Sequence, residues 1–151
     1  MIEVEHTVEI DRPAEEVFEY LTDVSRLPEW QSSAVSAELD GALRKGARVR
    51  EARTFMGRRA ASTLEVTEYE PPRRFSLRVV EGPIRYSVEH ALEALDGRTR
   101  VTFVGRGETR GVPRLMQGAV RRAVERQFVK DLEALKRTLE STDGQATSTL
   151  T

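Results

Sequence analysis

The chain has 151 residues, 38% of them hydrophobic and 32% charged, with a formal net charge of −1 and no cysteine. That length suits one domain with a real core, and the near-zero charge gives no electrostatic footprint for nucleic acid. The missing thiols exclude disulfides, cysteine nucleophiles and cysteine-ligated metals.

The opening stretch, MIEVEHTVEI, alternates charged and apolar residues, so it reads as neither signal peptide nor membrane span. A cytoplasmic protein without an integral membrane segment is the expectation. Within it Val4, His6, Val8 and Ile10 share one face and Glu3, Glu5, Thr7 and Glu9 the other. Period two predicts a half-buried strand. Asp11 is placed to cap a helix that opens at Pro13, with Val17, Tyr20, Leu21 and Val24 on its apolar face. Pro28 interrupts a second short helical turn, just before Trp30, the chain's single tryptophan. A short strand is expected over Ala34–Leu39, then a loop over Gly41–Gly46.

From Ala47 to Glu108, turn signals at Met56-Gly57, Pro71-Pro72, Gly82-Pro83 and Asp96-Gly97 divide an antiparallel meander. Treating three of them as two-residue turns sets the register. Met56-Gly57 sets Phe55 opposite Arg58, Arg53 opposite Ala60, Glu51 opposite Ser62 and Val49 opposite Leu64. Gly82 sets Val79 opposite Ile84, Leu77 opposite Tyr86 and Phe75 opposite Val88. Asp96-Gly97 sets Leu92 opposite Val101 and His90 opposite Phe103. All three turn the apolar side chains to one face and opposite charges, such as Arg48/Glu65 and Glu93/Arg100, to the other. Glu51, Arg53, Tyr86, His90 and His6 are the polar exceptions on the inner face. Glu51 and Arg53 face the small Ser62 and Ala60, which admits two arrangements. In one, water or a ligand fills the space beside them; in the other, they pair with each other near an open rim.

From about Pro113 to Glu140, Met116, Val120, Val124, Phe128, Leu132, Leu135 and Leu139 recur at steps of three and four, which predicts one long helix with an apolar stripe. The other side carries Arg121, Arg122, Arg126 and Lys130 interleaved with Glu125, Asp131 and Glu133, a pattern read as a solvated face. GRGETRG at 105–111 lacks the Lys-Ser/Thr ending of a phosphate loop and is read as a link into the helix and a flap over a cavity mouth. The tail at 141–151 is polar and aperiodic, and disorder is expected there.

The stretches VEIDRPAEEVFEYLTDVSRLPEW, GARVREARTFMGRR, VTEYEPPRRFSLR and FVKDLEALKRTLE, in this order, resemble the polyketide cyclase/dehydrase branch of the START-like (SRPBCC) superfamily. The resemblance spans residues 1–140 and implies a single α+β helix-grip domain: a curved seven-stranded antiparallel sheet wrapped round a long C-terminal helix, with two short helices after the first strand. It also implies a cavity for a hydrophobic small molecule, either lipid-like or polyketide-like. The cavity candidates are Trp30, Phe55, Leu64, Phe75, Leu77, Tyr86, Val88, His90, Phe103, Met116 and Val120. Trp30 is expected beside the C-terminal helix, either sealing the core or touching ligand.

Three functions fit this frame, in order of preference: a binder or carrier of an apolar molecule, a cyclase or dehydratase, and a domain whose cavity has collapsed. For the enzyme, His90, Tyr86 and Glu51 are the acid/base candidates. No ligand spacing points to a metal, and no motif to a cofactor.

Overall fold

The computed structural model describes the backbone of residues 1–55 and 57–150 and the side chains of residues 1–54 and 57–141. It is a helix-grip fold. Seven strands, β1 (Ile2–Ile10), β2 (Ala34–Asp40), β3 (Arg48–Phe55), β4 (Arg58–Glu70), β5 (Arg74–Glu81), β6 (Tyr86–Leu95) and β7 (Arg98–Gly107), form one antiparallel sheet in the order β1-β7-β6-β5-β4-β3-β2. Helices α1 (Ala14–Thr22) and α2 (Leu27–Trp30) follow β1, and α3 (Gln117–Leu150) follows β7. Register shifts in β4, between Thr63 and Leu64 and between Val66 and Glu68, interrupt its pairing with β5. Such bulges bend a strand and let a sheet curve. Of the tail expected to be disordered, the side chains beyond Ser141 lie outside the described residues.

Two of the three registers read from turns are those observed. Arg53 pairs with Ala60 and Glu51 with Ser62 across β3–β4, and His90 pairs with Phe103 across β6–β7. The β5–β6 register differs: Phe75 lies opposite His90 rather than Val88, and Leu77 opposite Val88 rather than Tyr86. The cause is a longer connection, since β5 ends at Glu81 and β6 starts at Tyr86. Pro83 has no N–H to give to a tight hairpin ladder. The slip is of two residues, so every side chain keeps its face.

Asp11 does not cap α1. The N-cap is Pro13, without a side-chain bond, and the Asp11 N–H donates to Glu140 Oε2 at 2.9 Å. Asp11 therefore ties the end of β1 to α3. Lys136 Nζ to the Glu9 carbonyl (2.6 Å) and Arg12 to the Glu140 carbonyl (2.6 Å) add to that seam. Helix α3 thus runs alongside β1 and in the same direction, and its start lies near Glu3, whose carbonyl accepts from Arg121 Nε at 3.3 Å. Leu132, Leu135 and Leu139 enter the core with Val8, Ile10, Leu21, Trp30, Leu64, Phe75 and Phe103.

Helix α3 approaches β7 closely at Gly105. A Cβ there would stand 2.4 Å from the tip of the Phe128 ring. Gly105→Ala should therefore destabilise the protein by about 1–3 kcal/mol, the usual cost of overpacking. Urea denaturation checks this, and an unchanged midpoint would mean that α3 rides freely over β7.

Candidate functional site

Period two on β5, β6 and β7 brings Phe75, His90 and Phe103 side by side on the inner face. The His90 ring stacks on Phe75 at 5.6 Å and meets Phe103 edge-on at 4.2 Å. Trp30, from α2, and Phe128, from α3, both meet Phe103 edge-on, at 5.7 and 5.9 Å. Tyr69 extends the row from β4, 6.5 Å from Phe75. Trp30 is 2% exposed, and its buried indole N–H has no hydrogen-bond partner among the described residues.

A polar cluster adjoins this row toward the end of the sheet where β3 stops and β6 starts. Arg53 donates to both Glu51 oxygens, at 3.1 and 3.0 Å, and to Ser33 Oγ at 2.7 Å. The Tyr86 hydroxyl donates to Glu51 Oε1. The Glu51 side chain is only 4% exposed. So Glu51 and Arg53 do pair with each other, but Glu51 does so in the interior rather than in solvent at a rim. Bidentate geometry and the Tyr86 hydroxyl together satisfy a carboxylate that would be costly to bury alone. Burial, with the Glu51 charge next to it, raises the Tyr86 hydroxyl well above its ordinary range, so it remains a donor.

Asp131 on α3 joins from the other side. It is 5% exposed and accepts from Gln127 Nε2 at 2.7 Å and from the Ser32 N–H at 3.4 Å. The charge pattern of α3 alone places Asp131 on the solvated face, and the structure buries it. The signal was there: Phe128, Asp131 and Leu135 follow at steps of three and four, which places Asp131 against the apolar stripe.

The remaining candidates divide. Leu64, Phe75, Leu77 and Phe103 are buried, and Tyr86, Val88 and Val120 are half-buried. Met116 does not face the interior: it is 48% exposed, on a 3-10 turn (Arg114–Met116) beyond the end of the sheet. The helical stripe outruns the layer that covers it. The Phe55 side chain and Met56 lie outside the described residues. A hollow of about 840 Å³ lies not at this cluster but at the opposite end of the sheet, between α1, β2 and the turn after Tyr69, over Phe18, Leu39 and Pro71. Among the described residues no three His, Asp or Glu side chains converge as a metal would require, and no helix is long and apolar enough to cross a membrane.

The family whose model matches residues 1–140 is described as polyketide cyclase / dehydrase and lipid transport. The chain belongs to that family. No curated protein matches it. Among solved structures of this START-like fold, the ZhuI aromatase/cyclase from a Streptomyces species is 24% identical, with a TM-score of 0.78 over 92% of this chain and 93% of that one. The di-domain ARO/CYC BexL is 25% identical, with a TM-score of 0.74 over 93% of this chain and 47% of its own. A START superfamily protein from Mycobacterium smegmatis is 18% identical, with a TM-score of 0.72 over 97% of this chain and 99% of that one.

Within the interior of this polyketide cyclase/dehydrase-family chain, two buried groups titrate in opposite senses. Burial pushes the Asp131 carboxyl up from 3.8 to about 6, against the pull of the Gln127 and Ser32 hydrogen bonds. Burial pushes His90 down from 6.5 to about 4, against its contact with the Phe75 carbonyl. Asp131 therefore contributes stability that is full below pH 3.8 and lost as pH rises through 6. His90 contributes stability that is full above pH 6.5 and lost as pH falls through 4. Each is worth about 3 kcal/mol at most, so between pH 4 and 6 they offset each other. Asp131→Asn should unmask His90, with stability falling from pH 7 to pH 4 by about 2–3 kcal/mol more than in the wild type. Parallel profiles from denaturation at stepped pH would remove Asp131 from this account.

Proposed function

We propose that the protein binds an apolar, aromatic or polyketide-like small molecule bearing a hydrogen-bond acceptor, between the inner sheet face and α3. The observation that carries this is the buried, unpartnered Trp30 N–H beside Phe103. A buried donor left unmade costs about 1–3 kcal/mol. A ligand oxygen would remove that cost, and Phe103 beside Trp30, with Phe128 packed on Phe103, offers apolar surface. The family description, which joins cyclase/dehydrase with lipid transport, supports the same ligand class.

Because Trp30 is the only tryptophan, its fluorescence reports on the site directly. Titration with 1,8-dihydroxyanthraquinone, a planar polyketide-like phenol, should quench it saturably. Trp30→Phe, followed by calorimetry, should weaken binding about tenfold, or about 1.4 kcal/mol. Quenching that never saturates, or equal affinity in the variant, sinks the proposal.

One observation favours cyclisation or dehydration as a second reading. His90 Nδ1 lies 2.7 Å from the Phe75 carbonyl oxygen, which can only accept. Nδ1 therefore carries the proton, and Nε2 presents a lone pair. Yet a base held near pKa 4 takes up protons poorly at neutral pH, and that weighs toward binding. His90→Gln should leave affinity for the anthraquinone within about tenfold. Under the enzymatic reading the same change lowers turnover of a linear poly-β-ketone analogue by ~10²–10⁴ while binding persists.

A further inference from the structure

The end of the sheet where α3 begins carries an unusual surface. Leu115 is 100% exposed, beside the 48% exposed Met116, on the 3-10 turn that leads into α3. Ile84, in the β5–β6 connection, is also exposed. That connection is held beside the β7–α3 link, because the Glu108 N–H donates to the Arg85 carbonyl at 3.0 Å. Three large apolar side chains thus reach solvent from adjoining segments at one end of the molecule, Leu115 fully and Met116 and Ile84 in part.

The charge around them is one-sided. Residues 109–124 contain four arginines, Arg110, Arg114, Arg121 and Arg122, and no acidic residue, in a chain whose net charge is −1. All four are exposed. Among the described residues Arg121 has Glu125 at 3.7 Å, and the other three have no carboxylate in ion-pair range. The acids that flank these segments in the chain are Glu81, Glu108 and Glu125, and Glu3, whose carbonyl accepts from Arg121, is engaged with Arg106 at 3.2 Å. The amino end of α3 points the same way and adds its own positive dipole.

We propose that this end docks on an anionic lipid bilayer, with Leu115, Met116 and Ile84 entering the interface and Arg110, Arg114, Arg121 and Arg122 meeting lipid phosphates and carboxylates. The combination decides the partner. A polyanion such as RNA or an acidic polypeptide would use the arginines and gain nothing from a fully exposed leucine. A neutral protein groove would use the leucine and gain nothing from four unopposed arginines. An anionic bilayer uses both, since each basic residue near its surface raises affinity by about fivefold and an apolar tip gains by leaving water. The docking surface lies at the same end of the sheet as Tyr86, but it stands independently of what the interior binds.

Flotation with phosphatidylcholine vesicles, with and without 30% phosphatidylserine as the mixed composition (roughly the anionic content that gives such surfaces their potential), tests the proposal. The wild type should float only with the serine-containing vesicles, and less at high salt. Leu115→Glu should reduce the bound fraction about tenfold, and so should Arg110→Glu combined with Arg114→Glu. Val35→Glu, an exposed apolar site on edge strand β2, should leave it unchanged. Circular dichroism establishes that each variant is folded. No flotation of the wild type overturns the proposal. So does flotation that the arginine changes abolish but Leu115→Glu leaves intact, which would mark a general polyanion surface instead.

Discussion

A chain ending at Arg126 should not fold. It lacks Phe128, which packs on Phe103 and over Gly105, and also Leu132, Leu135 and Leu139, three of the most deeply buried side chains. Each buried leucine contributes on the order of 2 kcal/mol, and the seam from Lys136 and Glu140 to the end of β1 disappears with them. The combined loss of about 6–8 kcal/mol is comparable with the whole stability of an ordinary domain, about 5–15 kcal/mol. A chain ending at Glu140 keeps all of these contacts and should lie within about 0.5 kcal/mol of the full chain. Far-UV circular dichroism and melting temperature separate the two cases. If the shorter chain melts cooperatively near the wild-type temperature, the sheet holds itself together without its central helix.

Arg53→Met should cost about 3–5 kcal/mol, because it leaves the Glu51 carboxylate buried with only Tyr86 to satisfy it. Neutralising the stranded partner should recover most of that loss. Glu51→Gln with Arg53→Met is expected within about 1–2 kcal/mol of the wild type, since exchanging a buried ion pair for neutral groups is often close to neutral. Urea denaturation of the four proteins closes a double-mutant cycle, and a coupling below about 0.5 kcal/mol would mean that water, not Arg53, compensates Glu51.

Much of the scaffold was legible in advance because its signals are periodic and local. Leu95 pairs with Arg98 across Asp96-Gly97, and Phe55 with Arg58 from β3 to β4, and so short a connection leaves one register. The Gly82-Pro83 turn misled because its loop is longer than two residues, yet the slip was even and the inner face stayed right. The apolar stripe of α3 was visible as steps of three and four. Its first member was not where the stripe put it, because periodicity says which side a residue lies on and not how far the opposing layer extends; Met116 lies past that layer.

What the chain determined by itself, then, is the inner face: that Phe75, His90, Phe103, Glu51, Arg53 and Tyr86 share one side of one sheet follows from period two within each strand and from the turns that join the strands. Which of them meet is a tertiary outcome. Tyr86 reaches Glu51 from 35 residues away, and Asp131 reaches Ser32 from 99. Trp30 comes to Phe103 because α2 packs on β2 and α3. Those contacts depend on sheet curvature and on where two helices come to rest, and both are set by the packing of the whole core rather than by any local pattern of residues.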